Sequence, residues 1–159
     1  MKLVLKLITA VVALVVTVIV GALVAIRWQI EPALTGVRKL NKALTNRGAL
    51  RGAGSEASGT AVVVHRGRRS GKTFRTPVHL DRVHDSFVIA LAYGDGADWT
   101  RNVIANGGAV IELGGDTFIT KNPAIVPSAE VLHELPPRQQ RAITMFNVAK
   151  CLRLDIVAA

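Results

Sequence analysis

One cysteine, few aromatic residues and no cluster of metal ligands set the first limits on this chain. Cys151 stands alone, so no disulfide can form within the chain. Its simplest role is that of a small apolar residue near a helix end. Aromatic residues are only 4% of the 159 residues, which argues against a surface that stacks nucleic-acid bases. His65, His79 and His84 fall on successive predicted strands and their connection, with no Cys or carboxylate at ligand spacing; they read as strand or turn residues. His133-Glu134 lacks the second histidine of a zinc-protease motif, and Pro136-Pro137 interrupts the helix that would carry it. Ser70 has no Gly-x-Ser-x-Gly frame, and no pair of carboxylates suggests acid–base hydrolysis.

Acids are also missing, but only locally. Residues 60–77 hold Arg66, Arg68, Arg69, Lys72 and Arg75 with no acid among them, whereas residues 78–159 hold seven cations against nine acids. The net charge of +9 is thus concentrated in one short stretch and in the N-terminal third. A nucleic-acid binder more often spreads cations over a whole face, and no nucleic-acid partner is expected here. "GRRSGKT" approaches a phosphate-binding P-loop, but Gly67 and Gly71 enclose three residues where that motif needs four. The alternating segment after Arg75 predicts a strand where a P-loop needs a helix. What remains is a glycine-bearing turn loaded with cations. It is either a site for a polyanion, gripped by guanidinium groups and close backbone amides, or a solvated basic turn.

The one long hydrophobic run is Leu7 to Ile26, twenty residues without a charge. That length suits a membrane span, and it exceeds the apolar core of about 7–15 residues in a signal peptide. An uncleaved anchor is expected, with Trp28 at the interface. Two cations precede the run and six follow it before residue 52, which places the C-terminal part in the cytoplasm of a single-pass plasma-membrane protein. Leu34, Val37, Leu40 and Leu44 recur at helical spacing with Arg38, Lys39 and Lys42 between them. This predicts a short basic amphipathic helix, lying either on inner-leaflet lipids or against the domain. The expected organisation is a membrane anchor over 1–30, that helix and a Gly/Ser-rich linker over 31–59, and a folded domain over 60–159.

In the domain, strands are expected at Thr60–Arg66, Arg75–Val83, Ser86–Tyr93, Ala109–Leu113, Thr117–Thr120 and the closing "LRLDIV". A short helix is expected at Trp99–Asn106, and a helical region from Ser128 to Lys150 broken at Pro136-Pro137. Antiparallel strands around few helices predict an α+β fold with a small barrel.

Three blocks narrow this. "GRRSGKTFRTPV", "FVIALAYGDGADWTRNVIANGGAVIELGG" and "NPAIVP" resemble, in order and spacing, the deazaflavin (F420)-dependent nitroreductase family of oxidoreductases. The resemblance implies a split β-barrel, FMN-binding-like, and an 8-hydroxy-5-deazaflavin coenzyme, F420, with a phosphodiester and polyglutamate tail; FMN is the runner-up. It implies tail and phosphate contacts from Arg68, Arg69, Ser70 and Lys72, continued along Arg75, Thr76, Pro77 and Val78. Ala92 and Tyr93 are expected to border the ring, and Asp98, Trp99, Arg101 and Asn102 to close the groove. Tyr93 is either a proton or hydrogen-bond donor to the acceptor or a packing residue, and no other catalytic group and no metal is implied. The acceptor is expected to be apolar, a menaquinone-like quinone or a nitro compound, and a homodimer is compatible with the family. Two other functions stay open on the residues alone: a non-catalytic flavin or deazaflavin carrier, and an anionic-lipid-binding protein.

Overall fold

The computed structural model describes residues 2–28, 53–55 and 59–158. The amphipathic helix expected around Leu34–Leu44 lies outside them. The first apolar run forms helix α1, Lys2–Arg27, about 39 Å long at the α-helical rise. Among the described residues, its large apolar side chains from Val4 to Leu23 are exposed. Thr9 and Thr17 donate their hydroxyls back to the carbonyls of Leu5 and Ala13, each at 2.9 Å, so the helix offers no unsatisfied hydroxyl to an apolar surrounding.

The remaining elements are β1 (Ala61–Arg66), β2 (Thr73–Val78), β3 (Asp81–Val83), β4 (Ser86–Ala90), α2 (Asp98–Ala105), β5 (Gly108–Leu113), β6 (Asp116–Pro127), α3 (Ser128–Val131), α4 (Pro137–Met145) and β7 (Lys150–Ala158). A 3₁₀ turn at Leu132–Glu134 links α3 to α4. The expected strand over Arg75–Val83 is two strands, parted at His79-Leu80, and the expected strand over Ser86–Tyr93 stops at Ala90. The helical region ends at Met145, because Lys150 already pairs with Pro127 in the sheet.

All strands pair antiparallel in one sheet of order β2-β1-β5-β6-β7-β4-β3. Ala61 and Val63 of β1 share one core with Phe87 and Ile89 of β4, although three strands separate β1 from β4 in the sheet. The sheet must curl on itself to bring them together. Among the described residues its edge strands β2 and β3 do not pair, so the barrel is split. Alternation then sorts each strand: Ala61, Val63 and His65 face inward, and Val62 and Val64 outward. Pro77 sits on edge strand β2, where its missing N–H costs no ladder bond. Helices α3 and α4 cover the outside of β4 and β7 with a second core built on Val88, Val131, Leu135, Ile143 and Cys151. Helix α2 packs on β1, β5 and β6 through Val103 and Trp99.

Candidate functional site

The basic turn between β1 and β2 closes tightly. Gly67 N–H donates to the Lys72 carbonyl and Gly71 N–H to the Gly67 carbonyl, both at 2.8 Å. Gly71 has φ +65°, the left-handed region that glycine adopts at little cost. A Cβ on Gly67 would lie 2.6 Å from Ser70 Oγ and 2.7 Å from a ring carbon of Phe74, so a side chain here would have to displace the Ser70 and Phe74 side chains. Gly71 thus serves the shape of the turn, and Gly67 leaves room for Ser70 and Phe74.

Helix α2 is fastened directly to this turn. The Arg68 guanidinium donates to Asp98 Oδ1 at 3.1 Å and to Asn102 Oδ1 at 2.8 Å, and the Arg68 backbone amide donates to the same Asn102 oxygen at 3.2 Å. Beneath Asn102 lies His65, only 5% exposed. Its Nδ1 is 3.3 Å from Asn102 Nδ2 and its Nε2 is 3.2 Å from Thr76 Oγ1. The imidazole stacks on Phe74 at 5.9 Å between centroids. Burial pushes the His65 pKa down, and a backbone hydrogen bond at Arg66 opposes this in part. Asn106 completes the joint by donating to the Arg66 carbonyl at 2.8 Å.

Arg75 has a different partner. Its guanidinium grips Glu112 of β5 with two hydrogen bonds, at 2.7 and 2.5 Å. Strand alternation puts Arg75 on the outer side of β2 and Thr76 on the inner side with His65. Outside, Gly54 packs against Glu112, donates to the Thr60 carbonyl and accepts from Gly115 N–H, each bond at 2.7 Å. Part of the expected linker is thus fixed to the β5–β6 hairpin.

Ala92 and Tyr93, both half-buried, belong to the segment after β4. This segment is tied to β7: Leu91 N–H donates to the Lys150 carbonyl at 3.0 Å, and the Lys150 ammonium binds Asp95 Oδ2 at 2.8 Å. The hydrogen bond to Lys150 holds the Asp95 carboxyl below its usual range. Trp99 is half-buried against the barrel core, Arg101 is exposed on α2, and Pro77 and Val78 are half-buried on β2.

The charge ledger of the turn tests the fit of an anionic coenzyme. Five cations stand on Arg66–Arg75, and two carboxylates, Asp98 and Glu112, neutralise Arg68 and Arg75. Three positive charges remain. Arg69 and Lys72 are exposed, and among the described residues their side chains have no hydrogen-bond or ion-pair partner. That donor set suits a phosphodiester and glutamates and gives an uncharged ligand no advantage. Among the described residues no group of three or more His, Cys, Asp or Glu side chains could hold a metal ion.

Sequence reasoning missed His65 and Glu112. His65 was legible in principle: in "AVVVHR" it shares the parity of Ala61 and Val63, and a polar residue on a core-facing parity needs a partner. Glu112 carried no such signal, since its partner stands two strands away.

No curated protein matches the chain. Solved structures similar at low identity include the following two. One is an F420-H2 dependent reductase (FDR-A), 13% identical, covering 61% of this chain and 94% of that one with a TM-score of 0.46. The other, described as a domain-swapped dimer, is 14% identical, covering 76% of this chain and 98% of that one with a TM-score of 0.45. The model of the F420H(2)-dependent quinone reductase family matches residues 37–142, about two thirds of the chain. The chain belongs to that family of deazaflavin-dependent oxidoreductases.

Proposed function

We propose that this F420-dependent reductase is tethered to the membrane by α1 and passes reducing equivalents to an apolar, quinone-like acceptor at the bilayer surface. Residues 1–30 act as the anchor, 31–59 as the basic connector and 60–159 as the catalytic domain. The observation that carries the site assignment is the contact between two distant sequence blocks. Arg68 is spent on Asp98 and Asn102, and it thereby fixes a turn whose next cations, Arg69 and Lys72, have no partner among the described residues.

In this arrangement Arg69 and Lys72 bind the anionic tail as charge-assisted donors, with Ser70 and the turn amides beside them. Thr76, Pro77 and Val78 run beside the ring, with Ala92, Tyr93 and Trp99 at its borders. When bound, the reduced deazaflavin supplies a hydride from its C5. The protein orients the ring and keeps an apolar slot for the acceptor. In this reading Tyr93 either packs at the ring's border or donates a hydrogen bond to that acceptor. Helix α1 offers an apolar stretch, Val4–Val24, whose single charge is Lys6 near its start and which is long enough to cross a bilayer. A span of that kind keeps the domain beside lipid-soluble quinones, with the C-terminal domain in the cytoplasm by the positive-inside bias.

The full chain in lipid nanodiscs, titrated with the deazaflavin coenzyme and with FMN, tests the cofactor by fluorescence. Reduced coenzyme and a vesicle-embedded menaquinone then test the acceptor. Preference for deazaflavin and oxidation above the enzyme-free rate are expected. Binding without oxidation by any lipid-embedded quinone would remove the acceptor assignment, and equal FMN affinity would remove the selectivity.

A further inference from the structure

We propose that His65 is a positioning residue: as a neutral imidazole protonated on Nε2 it sets Asn102 and Arg68 so that the turn is open to the coenzyme tail, and acid releases the turn by protonating it. This rests on the assignment of the tail to the Arg68–Lys72 turn.

The hydrogen-bond polarity is forced from one end. The backbone N–H and the guanidinium of Arg68 can only donate, and both the N–H and Nη1 approach the same Asn102 atom, at 3.2 and 2.8 Å. That atom must be the carboxamide oxygen. The Asn102 NH₂ group therefore faces His65 Nδ1 at 3.3 Å, and Nδ1 must present a lone pair. The proton then sits on Nε2, which donates to Thr76 Oγ1 at 3.2 Å. One chain of four residues from β2 through β1 and α2 to the turn has a single consistent polarity.

Protonation of His65 breaks that polarity. A second N–H would then confront the Asn102 NH₂ group, with only the Arg66 backbone favouring the charged ring. Turning the carboxamide over relieves this contact but aims the NH₂ group at the amide and guanidinium of Arg68. Either Asn102 is pushed away from the ring and the turn, or its flipped carboxamide leaves Arg68 without its carboxamide acceptor. Helix α2 cannot slide away, because Asn106 pins its end to the Arg66 carbonyl.

The charged groups near the ring are few. Arg66 of β1 acts through its backbone, and Arg68 of the turn and Asp98 of α2 both lie beyond Asn102. Strand β2 presents only Phe74 and Thr76 to the ring, and Arg75 with Glu112 lies on the other side of the sheet. The ring is buried, and burial lowers its pKa, so the neutral form dominates at neutral pH.

Two measurements on the full chain in nanodiscs test this. Without coenzyme, ¹⁵N shifts of the His65 ring are recorded from pH 7.5 downward alongside the Asn102 carboxamide and Arg68 guanidinium signals. The Nε2–H tautomer is expected at pH 7.5, with all three groups shifting together on acidification. An Nδ1–H tautomer, a charged ring at pH 7.5, or a ring that titrates without moving Asn102 and Arg68 would overturn the proposal. Coenzyme affinity is then compared between wild type and His65→Asn, whose Oδ1 can accept from Asn102 without titrating; the ligand's own ionisation cancels in the ratio. The wild-type affinity relative to the variant should fall about tenfold per pH unit below the ring's titration, because only the neutral form is competent. A ratio constant with pH overturns the proposal. If Arg69→Ala and Lys72→Ala leave affinity unchanged while the three apo signals still move together, the tail assignment fails and the His65 linkage to Arg68 stands. Should His65→Asn not fold, the apo titration of the wild type decides.

Discussion

Replacing Arg69 and Lys72 by alanine should separate binding from stability, because neither side chain has a partner among the described residues. At about 4 Å, a cation–anion contact is worth about 1 kcal/mol in water and about 4 kcal/mol at the effective dielectric of a protein surface. The turn is exposed, which favours the low end, about 1.4 kcal/mol or tenfold in affinity for each cation. The double variant should then bind the coenzyme about a hundredfold more weakly, and its binding should lose most of its dependence on salt. Unfolding free energy should stay within about 0.5 kcal/mol of wild type, as for surface changes that break no contact. Arg68→Ala makes the contrast. Its side chain is 24% exposed and donates to Asp98 and Asn102, so its loss should lower stability by about 1–2 kcal/mol as well as weaken binding. Isothermal titration with the coenzyme at two salt concentrations, paired with urea unfolding of the domain, reads both effects. An affinity loss under about threefold in the double variant, or a stability loss equal to that of Arg68→Ala, would refute the assignment of free cations to the tail.

Other parts of the structure make smaller claims. Glu112→Gln weakens its ion pair with Arg75; the two side chains are 28% and 46% exposed, so solvent screening limits the cost to about 0.5–1 kcal/mol by thermal unfolding. Lys150→Met removes the hydrogen bond that holds Asp95 down, and an NMR titration should show the Asp95 pKa rising. In wild type, the stability due to this depressed pKa is present above the unfolded value, near 3.9, and is lost as pH falls through the folded one. The opposite geometry holds for Cys151, whose pKa burial pushes up to about 11. Its thiol should resist alkylation at pH 8 until the protein is unfolded, and rapid labelling of the native chain would contradict its place in the outer core. For His65, the lowered pKa means that stability is full above the unfolded value of about 6.5 and declines as pH falls from there toward the folded value.

Much of the architecture was legible because its signals are local. The β-branched run before Gly67, the Gly-Gly-Asp hairpin and the prolines at Pro136-Pro137 each fix an element over a few residues. The split of Arg75–Val83 into two strands was not legible, since "RTPVHLDRV" alternates throughout and only the curl of the sheet demands a break at His79-Leu80. The same limit applies to the site. The turn and the Asp98–Asn102 block were visible as motifs, but which cations they consume is a tertiary fact. Arg68 and Arg75 look equivalent to Arg69 and Lys72 in the sequence, yet Asp98 and Glu112 come from elements 30 and 37 residues away.

The most direct measurement compares the full coenzyme with the same deazaflavin ring lacking phosphodiester and glutamates, bound to the full chain at low and high salt. The intact coenzyme should bind at least about tenfold more tightly, with an advantage that shrinks as salt rises and disappears in the Arg69→Ala/Lys72→Ala variant. Equal affinity for the two ligands at low salt would contradict a turn built to hold an anionic tail.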